Sequence, residues 1–238
     1  MDFFTIMIIL ITLVVLVFIV LIAFVMKKSK DVKNEGFLEA ERKEMLQNVV
    51  KKRKKLIPHK AEYYLQITDA MTFQRIEDVR SIRISGLLYN TSRKPIVAFE
   101  RVERGKNATG QLVALTKKQE FIYEFLGLDI SIICDGELLG TWDSKGILHD
   151  ANKKTIGKLQ RTQETNTLSL HDRNLASIKK APLYDHIAKI SEVSEVFEEL
   201  NNGTSLLTLN DTPNTEEENW VLALGIFEIA FYGNTTVN

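Results

Sequence analysis

Two features of this 238-residue chain have the residue types that bind ligands or partners: a run of cations and one isolated carboxylate. The run is Lys51, Lys52, Arg53, Lys54 and Lys55, whose charges suit anionic lipid headgroups or an acidic protein surface. The carboxylate is Glu228, the single charge in the apolar stretch 220–232. A carboxylate buried there would have a raised pKa, or it would pair with a cation or a hydrogen-bond donor. These six residues are the candidate lipid or partner contacts.

Both features also have interpretations that involve no ligand. The cations could form an ordinary solvated surface, and Glu228 could accept hydrogen bonds from backbone amides or reach the mouth of a barrel. Motifs for catalysis are missing from the sequence: there is no G-x-x-x-x-G-K-[ST] loop and no G-x-S-x-G elbow. The four histidines lack the i, i+4 spacing of a zinc helix. We therefore expect no catalytic residue, cofactor or metal ion; an enzyme with a dispersed site is the weaker alternative.

The single cysteine, Cys134, excludes an intramolecular disulfide and any cysteine-rich metal site. It lies in the apolar run LDISIICDG, which predicts a small core residue. Trp142 and Trp220 are likewise interpreted as core aromatic residues.

An uncharged stretch at residues 3–26 predicts a transmembrane helix. Its 24 residues would extend roughly 36 Å as a helix, enough to cross a hydrocarbon core of about 30 Å. A cleaved signal peptide would need a basic start, a shorter apolar region and a small-residue cleavage site. Instead Asp2 precedes the stretch and Phe24-Val25-Met26 ends it, which favours an uncleaved anchor over residues 1–26.

Cations next to this stretch predict its orientation. Lys27, Lys28, Lys30 and Lys33 follow it, whereas no Lys or Arg precedes it. The positive-inside rule then places the N-terminus outside and the C-terminal domain in the cytoplasm. Five Asn-x-Ser/Thr triplets favour the opposite topology, because glycosylation would require a lumenal domain.

The formal charge of zero conceals a strong segregation along the chain. Residues 27–60 contain twelve Lys or Arg and five Asp or Glu, whereas residues 191–238 contain nine acids and no Lys or Arg. Such segregation suits a protein oriented by anionic lipid or by a basic partner, although ordinary solvated charge explains it equally well.

Residues 27–60 predict a charged helical connector that ends near Pro58. Leu38, Met45, Val49 and Leu56 form an apolar stripe, which could pack on the same chain, on a partner helix or on the bilayer. If the connector continued straight from the membrane, the cation run would lie roughly 35 Å away. Since membrane electrostatics decays over about 8 Å, the run could bind lipid only if the connector lay flat.

Short alternating runs from about residue 63 predict β-strands, among them EYYLQIT, SIRISGLLYN, PIVAFERV and LDISII. Turn signals between residues 135 and 179 separate further short strands, as in an antiparallel meander, and SLLTL makes one more. Helices are predicted at 185–200 and 220–232, the second with Thr215 as N-cap, Glu218 completing a capping box and Gly233 as C-cap. Being apolar nearly all round and too short to span a bilayer, the second helix should be surrounded by protein.

The segment D-G-x-x-L-G-x-W-x-x-x-G (135–146), its repeated theme at 150–159 and the helix at 220–232 resemble the tubby, phospholipid scramblase and LURP-one-related superfamily. The resemblance covers about residues 60–235. It implies a mainly-β (α+β) domain at 61–238, an antiparallel β-barrel of short strands around a hydrophobic C-terminal helix. It also implies a location close to a membrane.

The chain departs from that family in its anchor, which is N-terminal rather than C-terminal, and in lacking a cysteine cluster and a clear cationic phosphoinositide pocket. The resemblance therefore does not imply lipid scrambling. We expect a membrane-anchored, non-catalytic scaffold or accessory subunit, with the bilayer and another protein as partners and no nucleic acid. The alternative is a phospholipid-binding or scramblase-like protein.

Overall fold

The computed structural model describes residues 14, 16–18, 35–58, 66–78, 81–104, 109–126, 129–162, 164–179, 198–200 and 205–232. The chain divides into two compact units, Met1–Glu44 and Met45–Asn238. Most of the predicted anchor lies outside the described residues; Val14, Leu16, Val17 and Phe18 are helical, with half or more of each side chain exposed. Among the residues described, no helix combines the length and the apolar character needed to cross a membrane.

Besides the helical residues 14 and 16–18, the described part of the chain contains two α-helices, a π-helix and thirteen strands whose bounds are given below. Helix α1 is Glu35–Arg53, and helix α2 is Thr215–Phe227, which continues as a π-helix at Glu228–Tyr232. The strands are β1 Ile67–Asp78, β2 Ser81–Asn90, β3 Pro95–Arg104, β4 Thr109–Leu115, β5 Glu120–Leu126, β6 Asp129–Cys134, β7 Glu137–Trp142, β8 Ile147–Asp150, β9 Thr155–Arg161, β10 Thr165–Leu170, β11 Arg173–Lys179, β12 Glu198–Leu200 and β13 Leu207–Leu209.

The strands form one antiparallel sheet that curls into a nearly closed barrel. Strands β1 to β11 pair in chain order, with β12 beside β1 and β13 beside β11. Ser205 bridges to Thr68 of β1, and the Leu206 amide donates to the Ile67 carbonyl at 3.0 Å. Because β13 follows at once and pairs with β11, residues 205–209 join the two ends of the meander. The predicted mainly-β antiparallel barrel of short strands with a C-terminal helix is confirmed.

Helix α2 is buried on every side by side chains from around the barrel. Residues 220–230 are all buried, as its nearly uniform apolar sequence predicts. The Tyr123 hydroxyl of β5 donates to the Ala223 carbonyl at 2.8 Å, and the Trp142 ring of β7 lies edge-on to Phe227, with centroids 5.5 Å apart. Both tryptophans and Cys134 are buried, which confirms them as core residues.

Gly140 of β7 allows the helix to approach this strand closely. Its φ is +156°, and a Cβ there would lie 2.0 Å from the His149 carbonyl oxygen and 2.7 Å from the Trp220 ring. Only glycine fits such a position without moving backbone or ring. The G-x-W pattern of the sequence therefore marks a contact between strand and helix.

From Met45 onward, the connector packs on the outer face of the barrel. Met45, Val49 and Leu56 are buried against outward-facing residues of neighbouring strands, including Val102 and Val113. These three residues of the apolar stripe thus cover their own chain, the first of the three surfaces considered for the stripe.

Two local predictions were wrong, and two strands were missed. Helix α2 is capped by Asn214, one residue before Thr215: the Asn214 side chain accepts from the Glu217 amide at 3.0 Å, and Glu217 accepts from the Asn214 amide at 2.9 Å. Glu217, not Glu218, therefore completes the box, since this register brings its carboxylate next to Arg173. Residues 185–197 of the predicted helix 185–200 lie outside the described residues. Its last three residues, Glu198–Leu200, form strand β12 because they pair with β1. Strands β4 and β5 were not predicted.

Candidate functional site

The cation run lies at the C-terminal end of α1, held against two turns of the barrel. Arg53 anchors it: Nε donates to the Thr116 carbonyl at 3.1 Å, and Nη2 donates to the Lys117 carbonyl at 3.0 Å. Beyond the helix, the Ile57 amide donates to the Pro95 carbonyl at 3.1 Å. The run is therefore fixed beside the β4–β5 turn and the β2–β3 turn.

These two turns contribute further cations to the same surface. Strands β3 and β4 are antiparallel neighbours, so the turn that enters β3 and the turn that leaves β4 emerge at the same end of the sheet. Exposed cations from all three elements form what we call the basic end: Lys51, Lys54, Lys55, Arg93, Lys94, Lys117 and Lys118. The sequence run supplied only three of the seven, because the pairing that adds the turns is non-local.

The other two residues of the run, Lys52 and Arg53, have a positioning role. Lys52 lies near Glu100, a buried carboxylate that also accepts from Arg83 Nη1 at 2.9 Å. Burial lowers the pKa of Lys52, and the attraction of Glu100 partly offsets this effect. Burial also raises the pKa of Glu120 in the adjacent strand, with Asp135 adding to the effect and Arg53 opposing it. Lys52 and Arg53 are thus half-buried against the barrel, whereas Lys51, Lys54 and Lys55 are exposed.

Glu228, the sixth candidate, is the first residue of the π-helix and is 2 % exposed. Its Oε1 lies 3.5 Å from Arg161 Nη2 of β9. The Arg161 guanidinium also lies over the Trp142 ring, 4.4 Å from the ring centre, which is a cation–π arrangement. Glu228 therefore pairs with a cation, which is one of the two outcomes expected of a buried carboxylate, the other being a raised pKa.

A second ion pair, between a buried arginine and a half-buried glutamate, lies near the same end of α2. Arg101 of β3 is 1 % exposed; its Nη1 donates to the Ala230 carbonyl at 3.1 Å, and its Nη2 lies 3.1 Å from Glu103 Oε2. Burial lowers the pKa of Arg101 to about 10; Glu103 opposes this effect and nearby Arg75 adds to it. A cation at this position also complements the negative end of the helix dipole.

Asn166 of β10 is opposite Arg161 in the antiparallel register and is fully buried. Neither its amide nitrogen nor its amide oxygen has a hydrogen-bond partner among the described residues, and the same holds for Trp142 Nε1. We define the interior cluster as Arg101, Glu103, Trp142, Arg161, Asn166 and Glu228. Apart from Glu228, the sequence did not identify these residues as a site, although strand alternation places Arg101, Arg161 and Asn166 on the inward face.

At the opposite end of α2, Arg173 has a structural role. It pairs with Asp211 at 2.8 Å and with Glu217 at 3.3 Å, and it holds the pKa of Asp211 below its usual value. Within the part of the chain that the structure describes, no group of three or more His, Cys, Asp or Glu residues is arranged to hold a metal ion.

Compared with protein-family models, curated proteins and solved structures, the chain has no significant match. Function must therefore be inferred from the basic end and the interior cluster themselves.

Proposed function

We propose that this chain is a membrane-anchored, non-catalytic scaffold or accessory subunit whose barrel binds an acidic surface of a protein partner. The observation that carries the proposal is the construction of the basic end. Three chain segments bring seven exposed cations together, and Arg53 ties α1 to the backbone of the β4–β5 turn.

This construction suits recognition because the backbone that presents the charges is ordered before a partner arrives. The protein then loses less conformational freedom on binding than it would if the same charges were carried by a mobile basic tail. A concentrated positive surface also speeds encounter with acidic partners and disfavours basic ones. The formal net charge of the chain is zero, so the protein as a whole does not attract anions. The excess positive charge of the basic end is therefore more selective for an acidic surface that contacts it directly.

The anchor and the superfamily remain parts of the proposal. We infer that residues 3–26 span the membrane with the barrel in the cytoplasm, on the basis of their length, their apolar character and the lysines that follow. A tubby-like fold is supported by the barrel meander, by the burial of α2 and by the contact of Gly140 with Trp220.

Co-purification of the full chain from its native membrane in mild detergent tests the proposal. A variant with Lys51→Glu, Lys54→Glu and Lys55→Glu should lose its co-purifying protein, and 0.5 M salt should weaken the wild-type complex because it screens exposed charges. The matched control changes the exposed Lys145, Lys154 and Lys158 to Glu, with the same change of six charges, three residues times two, and should keep the partner. Equal retention by both variants would contradict the proposal.

A second candidate function, binding of anionic phospholipid, is favoured by the same exposed lysines, whose ammonium groups also suit lipid phosphates. We would embed the full chain in a neutral nanodisc and measure capture of phosphatidylserine vesicles at low salt. Capture that the Lys51, Lys54 and Lys55 variant loses would favour lipid; no capture, together with a stable protein partner, would favour the scaffold.

A further inference from the structure

An apolar patch lies beside α1 on the outer face of the barrel. Val50 of α1 and Leu138 of β7 are 46 % and 44 % exposed. Isolated apolar side chains are ordinary on a protein surface, whereas a contiguous apolar patch marks a contact surface. Strand register and helix geometry place these two side chains at opposite edges of one such patch.

Three neighbouring strands supply the floor of this patch. Ile122 of β5 is opposite Ile133 of β6, and Ile133 is opposite Leu138 of β7, so the three side chains form a row on one face of the sheet. This face is the outer one, because Ile122 belongs to the cluster that α1 forms with the barrel through Met45 and Val49. The row begins under α1 and becomes exposed at Leu138.

One side of α1 forms the wall of the patch. Asn48 donates to a β3 carboxylate at 3.5 Å, so its side of the helix faces β3. Arg53 donates to carbonyls of the β4–β5 turn, so its side faces β5. At about 100° per residue, Leu46 and Val50 lie on the Arg53 side, and Leu46 packs against the same cluster as Ile133. The apolar flank is therefore defined as Leu46, Val50, Ile122, Ile133 and Leu138.

Charges of opposite sign border the apolar flank at one end of the sheet. The β4–β5 turn carries Lys117 and Lys118, whereas the β6–β7 turn carries Asp135 and is followed by Glu137, and all four are exposed. Because the strands are antiparallel, both turns emerge at the same end. A line between β5 and β6, parallel to the strands, thus has the basic turn on one side and the acidic turn equally far away on the other.

A two-fold axis along this line makes the surface complementary to itself. Rotation by half a turn exchanges the two sides, so Lys117 and Lys118 of one copy face Asp135 and Glu137 of the other. An apolar centre with a charged rim is the usual anatomy of a protein interface. Since this chain supplies both halves of the charge match, a second copy fits the surface better than an unrelated partner does.

We propose that the chain forms a two-fold symmetric dimer through the apolar flank, with the lysines of each β4–β5 turn facing the acids of the other copy's β6–β7 turn. The interface is small, so we expect reversible association with a dissociation constant of about micromolar order. The dimer goes beyond the proposed scaffold function and does not depend on it. Of the seven cations of the basic end, Lys117 and Lys118 face the second copy, and the other five stay open to an acidic partner.

The test measures the mass of the full chain, expressed alone and kept in mild detergent, by analytical ultracentrifugation across dilutions that span the micromolar range. We expect the protein mass to rise reversibly from one chain of 27.2 kDa towards two. A mass that stays at one chain at every concentration would overturn the proposal. Growth beyond two chains would also overturn it, because a two-fold interface closes on itself.

Variants locate the contact on the apolar flank. Leu138→Lys should weaken dimerisation at least tenfold, because it puts a charge into the apolar centre of the interface. The matched control is Ile76→Lys, at a side chain that is 50 % exposed on β1, and it should dimerise like the wild type. Equal dimerisation of wild type and Leu138→Lys would place the contact elsewhere and overturn the proposal.

A charge exchange tests the predicted rim. Lys118→Glu should weaken the dimer, because the new carboxylate faces the acids of the other copy. Adding Glu137→Lys to the same chain should recover most of the lost affinity, since the exchanged charges again face each other across the two-fold axis. Two losses that simply add would show that these side chains do not meet, and would overturn the proposed geometry.

Discussion

Replacement of Asn166 by leucine should stabilise the protein. The side chain is fully buried, and neither amide atom has a partner among the described residues, so asparagine loses its hydration there without compensation. Such a loss costs about 1–3 kcal/mol. Leucine has a similar size and matches Leu168 and Leu170 on the same strand face. We expect the free energy of unfolding to rise by about 1–3 kcal/mol.

Thermal unfolding of the full chain in phosphate-free buffer measures this change. For a domain of this size, 1 kcal/mol corresponds to roughly 2–4 °C, so the midpoint should rise by roughly 2–12 °C. Asn90→Leu is the matched control, because Asn90 is equally buried but its Oδ1 accepts from the Ser92 amide at 3.1 Å and from the Lys94 amide at 2.9 Å. That variant should lower the midpoint.

The two asparagine variants should therefore shift stability in opposite directions. If Asn166→Leu lowers the midpoint as much as Asn90→Leu does, the Asn166 amide is hydrogen-bonded in the free protein. The reasoning from its missing partners would then be refuted.

Three further changes test other parts of the structure. Asn214→Ala should cost about 1 kcal/mol in thermal unfolding because it removes the cap of α2, whereas Thr215→Ala should cost clearly less; the reverse order would favour the cap predicted from the sequence. Burial, with Asp135 adding to it, raises the pKa of Cys134 from 9.0 to about 12, so native alkylation at pH 8 should be roughly 1,000-fold slower than in denaturant. The Cys134 thiol ionises at a lower pH in the unfolded chain than in the folded one, so rising pH favours unfolding. The contribution of Cys134 to the free energy of unfolding should therefore be fully present below about pH 9 and be lost as the pH rises towards 12, and Cys134→Ala should remove this pH dependence. Gly140→Ala should destabilise the barrel by more than 2 kcal/mol, because its Cβ would overlap the Trp220 ring and a carbonyl oxygen; a stable variant would contradict the close approach.

Much of the fold could be predicted from sequence because its signals are local. Strand β2 alternates buried and half-buried residues over Ile84–Asn90, and its run SIRISGLLYN was predicted with the correct bounds. The uniformly apolar sequence of α2 predicted its burial. Strand β4 was missed because it is buried on both faces: inward Leu112 belongs to the barrel core, and outward Val113 packs with Met45 and Val49. Such a strand has no alternation to detect.

The candidate site was less accessible to sequence reasoning because tertiary pairing creates it. The cation run is continuous in sequence, but the basic end also needs turns that only the pairing of β3 with β4 brings together. Glu228 was conspicuous as the single charge of an apolar helix, whereas Arg161 and Asn166 are ordinary residues of strands until their register places them opposite each other. The cap was misplaced by one residue because Asn214 and Thr215 are both good N-caps with a glutamate three positions on.

The native mass of the full chain, extracted from its own membrane in mild detergent, tests the central claim most directly. An accessory subunit should migrate as an assembly of fixed composition, heavier than the 27.2 kDa chain, and the variant with Lys51, Lys54 and Lys55 changed to Glu should return to the mass of the free chain. A lone 27.2 kDa species in wild-type membranes at low salt would contradict the account.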